Sequence, residues 1–150
     1  MKKFGVEEIK KIIPHRPPFL FLDEILELNP GKTIVAKKNV RDDEFWIPGH
    51  FPNFAVCPGV LTIEMLAQAG AVCILSLPEN KGKIALFGGI RHARFKSQIF
   101  PGDEVILKLK IVENVGNIGF GKAKAFVKNK LAVKTDLTFA LKDVEKDKEN

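Results

Sequence analysis

Cysteine is scarce in this sequence and tyrosine is absent. The two cysteines, Cys57 and Cys73, form no C-x-x-C pair and no spacing typical of metal ligands. They are therefore expected to be small buried residues in a reducing compartment. The first residues lack the apolar core of a signal peptide, so none is expected. Internal repeats are also missing, and residues 1–150 are interpreted as one domain.

Negative charge is in deficit, because 24 lysines and arginines against 18 aspartates and glutamates give a formal net charge of +6. Such a balance favours acidic partners without naming them. The basic residues are spread along the chain and interleaved with acidic ones, and no aromatic-basic motif accompanies them. Nucleic-acid binding is therefore only a weaker alternative.

The apolar stretch at residues 58–77 is the feature around which the chain is organised. Its few polar residues include Glu64 and Gln68, which are four apart and share one helical face. A carboxylate there is costly unless it is hydrogen-bonded, paired or used in chemistry. These polar residues and the Ala- and Gly-rich composition argue against a membrane span. They predict a buried central helix.

The start of this helix is predicted to leave backbone donors free. Pro58 suits the first helical position, which makes Cys57 the cap, and cysteine is a poor cap residue. The N–H groups of Gly59 and Val60 then belong to the first turn, where they have no helical acceptor. Such donors suit a carbonyl oxygen that gains negative charge.

The rest of the chain shows the alternation and turn residues typical of strands. We predict an amphipathic helix at 6–13, an irregular loop at 42–57 and a frayed charged tail at 142–150. The predicted strands, of which the third and fourth are compatible with one bent strand, are 19–28, 33–40, 84–90, 93–99, 104–115, 118–127 and 131–141. The fold class is α+β, a curved antiparallel sheet wrapped round one long central helix. Its uncovered edges and apolar surface predict at least a dimer.

Several short segments occur in order over most of the chain. They are Pro14-His15-Arg16-x-Pro18-Phe19-Leu20, Lys38-Asn39-Val40, Gly49-His50-Phe51-Pro52, Pro58-Gly59-Val60-Leu61-x-x-Glu64, Ala67-Gln68, Arg94-Phe95 and Pro101-Gly102-Asp103. This ordered set resembles the hot-dog-fold (3R)-hydroxyacyl-[acyl-carrier-protein] dehydratases of bacterial fatty-acid synthesis. The resemblance implies one hot-dog domain over residues 1–150. It also implies a cytoplasmic hydro-lyase that converts (3R)-hydroxyacyl groups to trans-2-enoyl groups.

The resemblance implies that His50 and Glu64 are the catalytic pair. Dehydration needs a base for the C2 proton, an acid for the leaving hydroxyl and a donor to the thioester oxygen. We assign the base to His50, a residue type that titrates near neutrality, and the acid to Glu64, whose burial favours the protonated form. The N–H of Gly59 is expected to polarise the thioester carbonyl.

Other roles follow from the same family arrangement. Val60, Gln68 and Leu86 join Gly59 as expected substrate-binding residues, with Gln68 orienting Glu64 or a water and Leu86 near the acyl tunnel. An acidic acyl carrier protein is the expected partner, met by the basic residues Arg91, Arg94 and Lys96. The family implies no cofactor and no metal. A homodimer is expected, and a hexamer built as a trimer of dimers is the larger alternative. Neither nucleic-acid binding nor membrane insertion is expected.

The sequence departs from the family pattern at several positions. Pro17 replaces a common tyrosine, Ala55 a common proline and Met65 a common alanine, and Leu86-Phe87 stands where many members have Tyr-Phe. These departures leave the catalytic pair intact. They bear on the acyl-length preference and on any tyrosine gate.

Alternatives remain at the sequence level. His50 could be a packing loop histidine and Glu64 a structural carboxylate, while His15 is expected to brace the N-terminal segment and His92 to lie on the surface. A metal site from His50, Glu64 and His92 has suitable ligand types but no supporting spacing. Hot-dog folds also host thioesterases, and a related branch adds trans-2/cis-3 isomerase activity, but that branch usually carries Asp at the position of Glu64.

Overall fold

One helix with almost no solvent-facing position lies against a seven-stranded antiparallel sheet in the computed structural model, which describes residues 3–144. The strands are β1 Phe4–Gly5, β2 Glu24–Asn29, β3 Thr33–Asn39, β4 Lys83–Phe95, β5 Glu104–Val115, β6 Ile118–Val127 and β7 Lys130–Asp143. The helices are α1 Val6–Ile12, α2 Gly59–Leu75 and a 3-10 turn at Pro78–Asn80. The predicted architecture is confirmed.

The central helix, α2, forms because its sequence is apolar or small on every side. Every residue from Met65 to Leu75 is buried, and the helix contacts β3, β4, β5, β6 and β7. Gly70 permits the closest approach, because a Cβ there would lie 2.4 Å from Phe139 Cζ and 2.8 Å from Leu109 Cδ1. The burial of this face against the sheet supplies the apolar core. Within residues 3–144, no helix combines the length and apolar character that a bilayer crossing needs.

The sheet has the strand order β1-β2-β3-β5-β6-β7-β4, with antiparallel pairing throughout. β4 pairs with β7 alone, so β4 is an edge strand. The alternation in β5 puts Leu107 and Leu109 in the core and leaves Lys108 and Lys110 exposed. One sheet face therefore carries the core, and the other carries charge.

The structure corrects several predicted boundaries. The first predicted strand, 19–28, is in fact Glu24–Asn29, because the backbone at Phe19 and Phe21 bonds to the Gln68 side chain instead of a strand. Segments 84–90 and 93–99 belong to one irregular strand, β4, which ends at Phe95. β1 was not predicted. β7 continues through Lys142 to Asp143, and residues 145–150 of the predicted frayed tail lie outside the described residues.

Candidate active site

The loop between β3 and α2 carries His50 and is anchored by a buried ion pair. Lys38 Nζ on β3 lies 3.0 Å from Glu44 Oε2, and both side chains are almost wholly buried. Glu44 Oε2 also accepts a hydrogen bond from the backbone N–H of Arg41 at 2.9 Å. A buried pair needs such additional bonds to offset desolvation. Trp46 is buried in the same loop, so its path is fixed on the core side.

His50 is half-buried and held at both its backbone and its ring. Its N–H donates to Trp46 O over 3.0 Å, and its carbonyl accepts from the N–H of Val56 over 3.0 Å. The ring Nδ1 lies 2.8 Å from Val56 O. A carbonyl can only accept, so Nδ1 carries the proton of the neutral ring and Nε2 keeps its lone pair. The ring is therefore oriented as a base through Nε2.

α2 begins one residue later than predicted. Pro58 is the cap residue, and its carbonyl accepts from the N–H groups of Leu61 and Thr62 at 3.0 and 3.3 Å. Cys57 is not the cap, because its N–H is already bonded to Ile99 O at 2.7 Å. The N–H groups of Gly59 and Val60 precede the first helical bonds, as predicted. Burial raises the pKa of the Cys57 thiol to about 11, so this neighbouring thiol stays protonated.

A cavity of about 330 Å³ opens beside this helix start. It is lined by Val56, Cys57, Gly59, Val60, Thr62, Phe95, Ser97, Gln98, Ile99 and Val133. Gly59 borders the ring of Phe95 so closely that a Cβ would lie 2.5 Å from Phe95 Cε1. Val56, the hydrogen-bond partner of His50, is part of the lining. We call this space the helix-start cavity.

Glu64 borders a different cavity of about 200 Å³, which we call the acid cavity. The α2 residues that line it are Glu64, Ala67, Gln68 and Ala71, a stripe with helical spacing. Burial raises the pKa of Glu64, and the hydrogen bond from Gln68 Nε2 to Oε2, 2.9 Å long, partly opposes that shift. The net shift is toward the protonated form that an acid requires.

Both polar atoms of the Gln68 amide are hydrogen-bonded to neighbouring groups. Its Oε1 accepts from the N–H of Phe21 at 2.9 Å, and its Nε2 donates to Phe19 O at 2.8 Å as well as to Glu64. The amide therefore clamps the segment after Pro18 to α2 and orients Glu64 at the same time. This is the geometry predicted for Gln68 toward Glu64.

His15 also belongs to the acid cavity, which the sequence did not indicate. Its Nε2 lies 3.6 Å from Glu64 Oε2. Burial lowers the pKa of His15, and the positive charge of Arg16 lowers it further. The position of His15 between prolines predicts a rigid segment. Its meeting with α2 depends on the Gln68 clamp, which no local pattern reveals.

The remaining predicted residues fall in two places. Leu86 lines the acid cavity together with Phe87 and Phe139. Arg91 and Arg94 are exposed on β4, and Lys96 is exposed just after it. His50 is not among the residues that line the acid cavity, so one chain keeps the two predicted catalytic side chains in separate surroundings.

The metal alternative has no geometric support. His92 is exposed and its Nδ1 lies 3.0 Å from Asp136 Oδ2. In the described part of the chain, no three His, Cys, Asp or Glu side chains converge as a metal site would require. Both cysteines are free and buried.

A seven-stranded antiparallel sheet with one main helix defines the class as the hot-dog fold, and solved structures agree. A dehydratase heterocomplex, ApeI:P from Xenorhabdus doucetiae, matches with a TM-score of 0.76 and 17% identity over 88% of this chain and 89% of that chain. A hypothetical thioesterase with coenzyme A from Streptococcus pneumoniae TIGR4 matches with a TM-score of 0.62 and 11% identity over 79% and 84%. At these identities the likeness shows the fold alone.

Sequence comparison identifies the family within that fold. Residues 13–136 match the FabA-like domain, and the chain belongs to this family. It is 53% identical over 140 residues, 93% of this chain and 97% of the relative, to the 3-hydroxyacyl-[acyl-carrier-protein] dehydratase FabZ of Staphylococcus epidermidis. The FabZ of Clostridium kluyveri is 50% identical over the same shares. The predicted fold, family and enzyme class, a dehydratase of the hydro-lyase type, are confirmed.

Proposed function

We propose that this protein removes water from (3R)-hydroxyacyl-[acyl-carrier-protein] and releases the trans-2-enoyl product, a step of fatty-acid elongation. The observation that carries the proposal is the state of the two predicted catalytic groups. His50 is oriented with a free Nε2, and Glu64 is a partly buried carboxyl whose pKa is raised. The FabZ relatives, named for this reaction, support the choice of substrate. We place the enzyme in the cytoplasm, where two free thiols persist.

His50 is the base of the proposed reaction. Its Nε2 takes the proton from C2 of the substrate, and the electron pair of that C–H bond becomes the C2=C3 double bond. The Nδ1–H bond to Val56 O fixes the ring while Nε2 reacts. The N–H groups of Gly59 and Val60 stabilise negative charge on the thioester oxygen as it develops.

Glu64 is the acid. As the C3–O bond breaks, Glu64 gives its proton to the leaving hydroxyl, which departs as water. Burial raises the pKa of the carboxyl and so favours its protonated form relative to an exposed glutamate, and Gln68 holds its Oε2. After this step His50 holds the proton from C2 and Glu64 is ionised, so one proton must pass from His50 to Glu64 through solvent before the next turnover.

Each complete site is proposed to lie between two chains. Gly59, Val60 and Thr62 of α2 face the helix-start cavity, whereas Glu64, Ala67 and Gln68 face the acid cavity. One chain therefore presents a base with oxyanion donors on one side and an acid with an acyl pocket on another. A two-fold dimer can join the first half of one chain to the second half of its partner.

The exposed edge of β4 is the proposed dimer contact. Leu86, Phe87 and Ile90 on this strand are 42%, 42% and 47% exposed. An apolar edge strand that pairs on one side only is a template for a second copy. Pairing there would cover the apolar side chains and bring the acid cavity next to the partner.

Mixing two inactive variants tests the shared site and the catalytic assignments together. His50→Ala and Glu64→Gln are each expected to be nearly inactive. In a mixed dimer one site carries both changes and the other carries neither. Random pairing makes about half of the dimers mixed, with one intact site of two, so about a quarter of the wild-type activity should return on co-expression.

The control is each variant mixed with itself under the same protocol. Native mass spectrometry establishes that mixed dimers form. If mixed dimers are present and no activity returns, the shared-site proposal fails. Product analysis by mass spectrometry separates the proposed reaction, with loss of water, from thioester hydrolysis or from double-bond migration to the cis-3 position.

A further inference from the structure

His15 stands beside the carboxyl group that the proposed dehydration uses as its acid. Its Nε2 lies 3.6 Å from Glu64 Oε2, and both side chains line the acid cavity. Gln68 Nε2 donates to the same Oε2 over 2.9 Å. His15 Nε2 and Gln68 Nε2 thus both lie near Oε2 of the carboxyl. Neither of these two nitrogens contacts Oε1 in the described part of the chain.

The segment that presents His15 is fixed by its neighbours. Arg16 Nη1 donates to the carbonyls of Ile13 and His15 at 3.0 and 2.7 Å, and its Nη2 donates to Lys10 O at 3.0 Å. Two prolines follow Arg16 and restrict the backbone further. The backbone that carries His15 is therefore rigid, and it fixes the position of the imidazole beside Glu64.

The surroundings of His15 favour one tautomer. A neutral imidazole carries a single N–H. Placed on Nδ1, that N–H would be buried without an acceptor, because Nδ1 is closed to solvent and has no partner. Placed on Nε2, it lies on the nitrogen that is 3.6 Å from Glu64 Oε2. The second arrangement costs less, since an unsatisfied buried donor carries a desolvation penalty.

Within residues 3–144, His15 and Glu64 are the titratable groups that line this cavity. The charged or titratable groups that face His15 are Glu64 on α2 and the adjoining Arg16. The cavity residues contributed by β4 and β7 are Ala85, Leu86, Phe87 and Phe139, none of which titrates. Glu64 is therefore the titratable group that faces His15 across the cavity.

We propose that His15 is a positioning residue whose neutral Nε2–H, with the Gln68 amide, holds Oε2 of Glu64 so that Oε1 carries the proton given to the leaving hydroxyl. The inference rests on the proposed function. The ring must stay neutral, because an imidazolium 3.6 Å away would stabilise the carboxylate and remove the acid. At 3.6 Å the approach is too long for a formed hydrogen bond, so in the free enzyme the N–H dipole acts on Oε2 through space.

The test follows the protonation of Glu64 directly. The carboxyl stretching band of protonated Glu64 is titrated by infrared spectroscopy, with Glu64→Gln as the blank. His15→Phe removes the N–H donor, so the pKa of Glu64 should rise above its wild-type value. His15→Gln keeps an N–H at the reach of Nε2 and should titrate like wild type. His92→Ala, which alters an exposed histidine, should change nothing.

Turnover supplies the second measurement. His15→Phe should lower kcat about ten-fold with little change in KM, because the lost interaction acts on the acid and not on substrate binding. His15→Gln should recover most of that loss. Circular dichroism and thermal unfolding establish the fold, and His15→Met replaces the Phe variant if it does not fold.

An unchanged or lowered pKa of Glu64 in the folded apolar variant would overturn the proposal. A lowered pKa of Glu64 would mean that His15 accepts a hydrogen bond from the protonated carboxyl. An unchanged pKa would mean that the ring has only a packing role. The infrared titration uses no substrate. Failure of the wild-type enzyme to dehydrate any 3-hydroxyacyl thioester would thus count against the proposed function and not against this test.

Discussion

Among single side chains, His50 has the least ambiguous chemistry. Its backbone N–H and C=O and its Nδ1 all have partners, and these partners lie in its own loop. The ring is stacked on Phe51 at a centroid distance of 4.2 Å, and neither ring is part of the buried core. Removal of the imidazole should therefore affect chemistry far more than folding.

His50→Ala should lower kcat for dehydration by about 10²- to 10⁴-fold, the usual cost of losing a general base. The melting temperature should stay close to the wild-type value, because the side chain is half-exposed. Steady-state kinetics and thermal unfolding measure the two effects. His92→Ala is the matched control, and near-normal turnover by the His50 variant would refute its role as the base.

The residue scale also marks a limit of sequence interpretation. His50 and Glu64 stand in recognisable segments, and their roles could be predicted from those segments. His15 stands in such a segment too, but its significance depends on a 3.6 Å approach to Glu64 across 49 positions of sequence. That approach exists because Gln68 binds the backbone at Phe19 and Phe21, a long-range contact without a periodic signature.

Among elements, β4 contributes to both the acid cavity and the proposed dimer edge. Leu86 is 42% exposed and lines the acid cavity beside Glu64. Under the proposed function, an acyl chain in this cavity would contact the side chain of Leu86. This position keeps the predicted role of Leu86 in chain-length preference open to test.

Leu86→Trp should shift the preference of the enzyme toward shorter acyl chains, because a larger ring fills part of a cavity of about 200 Å³. Relative kcat/KM values over a series of 3-hydroxyacyl lengths measure the shift. Val112→Trp, an exposed residue of β5 outside the acid cavity, is the control. Equal ratios across all lengths would place Leu86 away from the acyl path.

The elements show which sequence signals were sufficient. β5 and β6 have the predicted bounds, because apolar-polar alternation and a glycine turn at Gly116 define both. β2 is shorter than its pattern predicts, since the apolar pattern extends back to Phe21 while the N–H of Phe21 donates to Gln68. Alternation reports which side chains are buried, and it does not report which groups satisfy the backbone.

At the scale of the whole molecule, positive charge is concentrated on one sheet face. Cross-strand pairing sets Lys108 opposite Lys124, Lys124 opposite Lys134 and Lys134 opposite Arg94. All four are exposed. Like charges in direct opposition are unfavourable without an anionic partner. This row adjoins the predicted carrier-binding residues, and we infer that it extends their surface for an acidic carrier protein.

Charge reversal tests this surface. A triple change of Arg91, Arg94 and Lys96 to Glu should raise KM for acyl carrier protein substrates several-fold and leave kcat within about two-fold, because docking and not chemistry is altered. Lys11→Glu on α1 is the single-charge control. The triple variant and the wild-type enzyme should process a small pantetheine thioester at equal rates. Unchanged KM for the carrier-borne substrate would place the docking surface elsewhere.

The burial of α2 also limits how this protein can change over evolutionary time. Eleven consecutive positions, Met65 to Leu75, are buried, and Gly70 tolerates no added carbon without displacing Phe139. Such a helix has no neutral face on which substitutions can accumulate. A change within this helix therefore requires compensation from the side chains packed around it, whereas the charged face of the sheet and the turns can vary without such compensation.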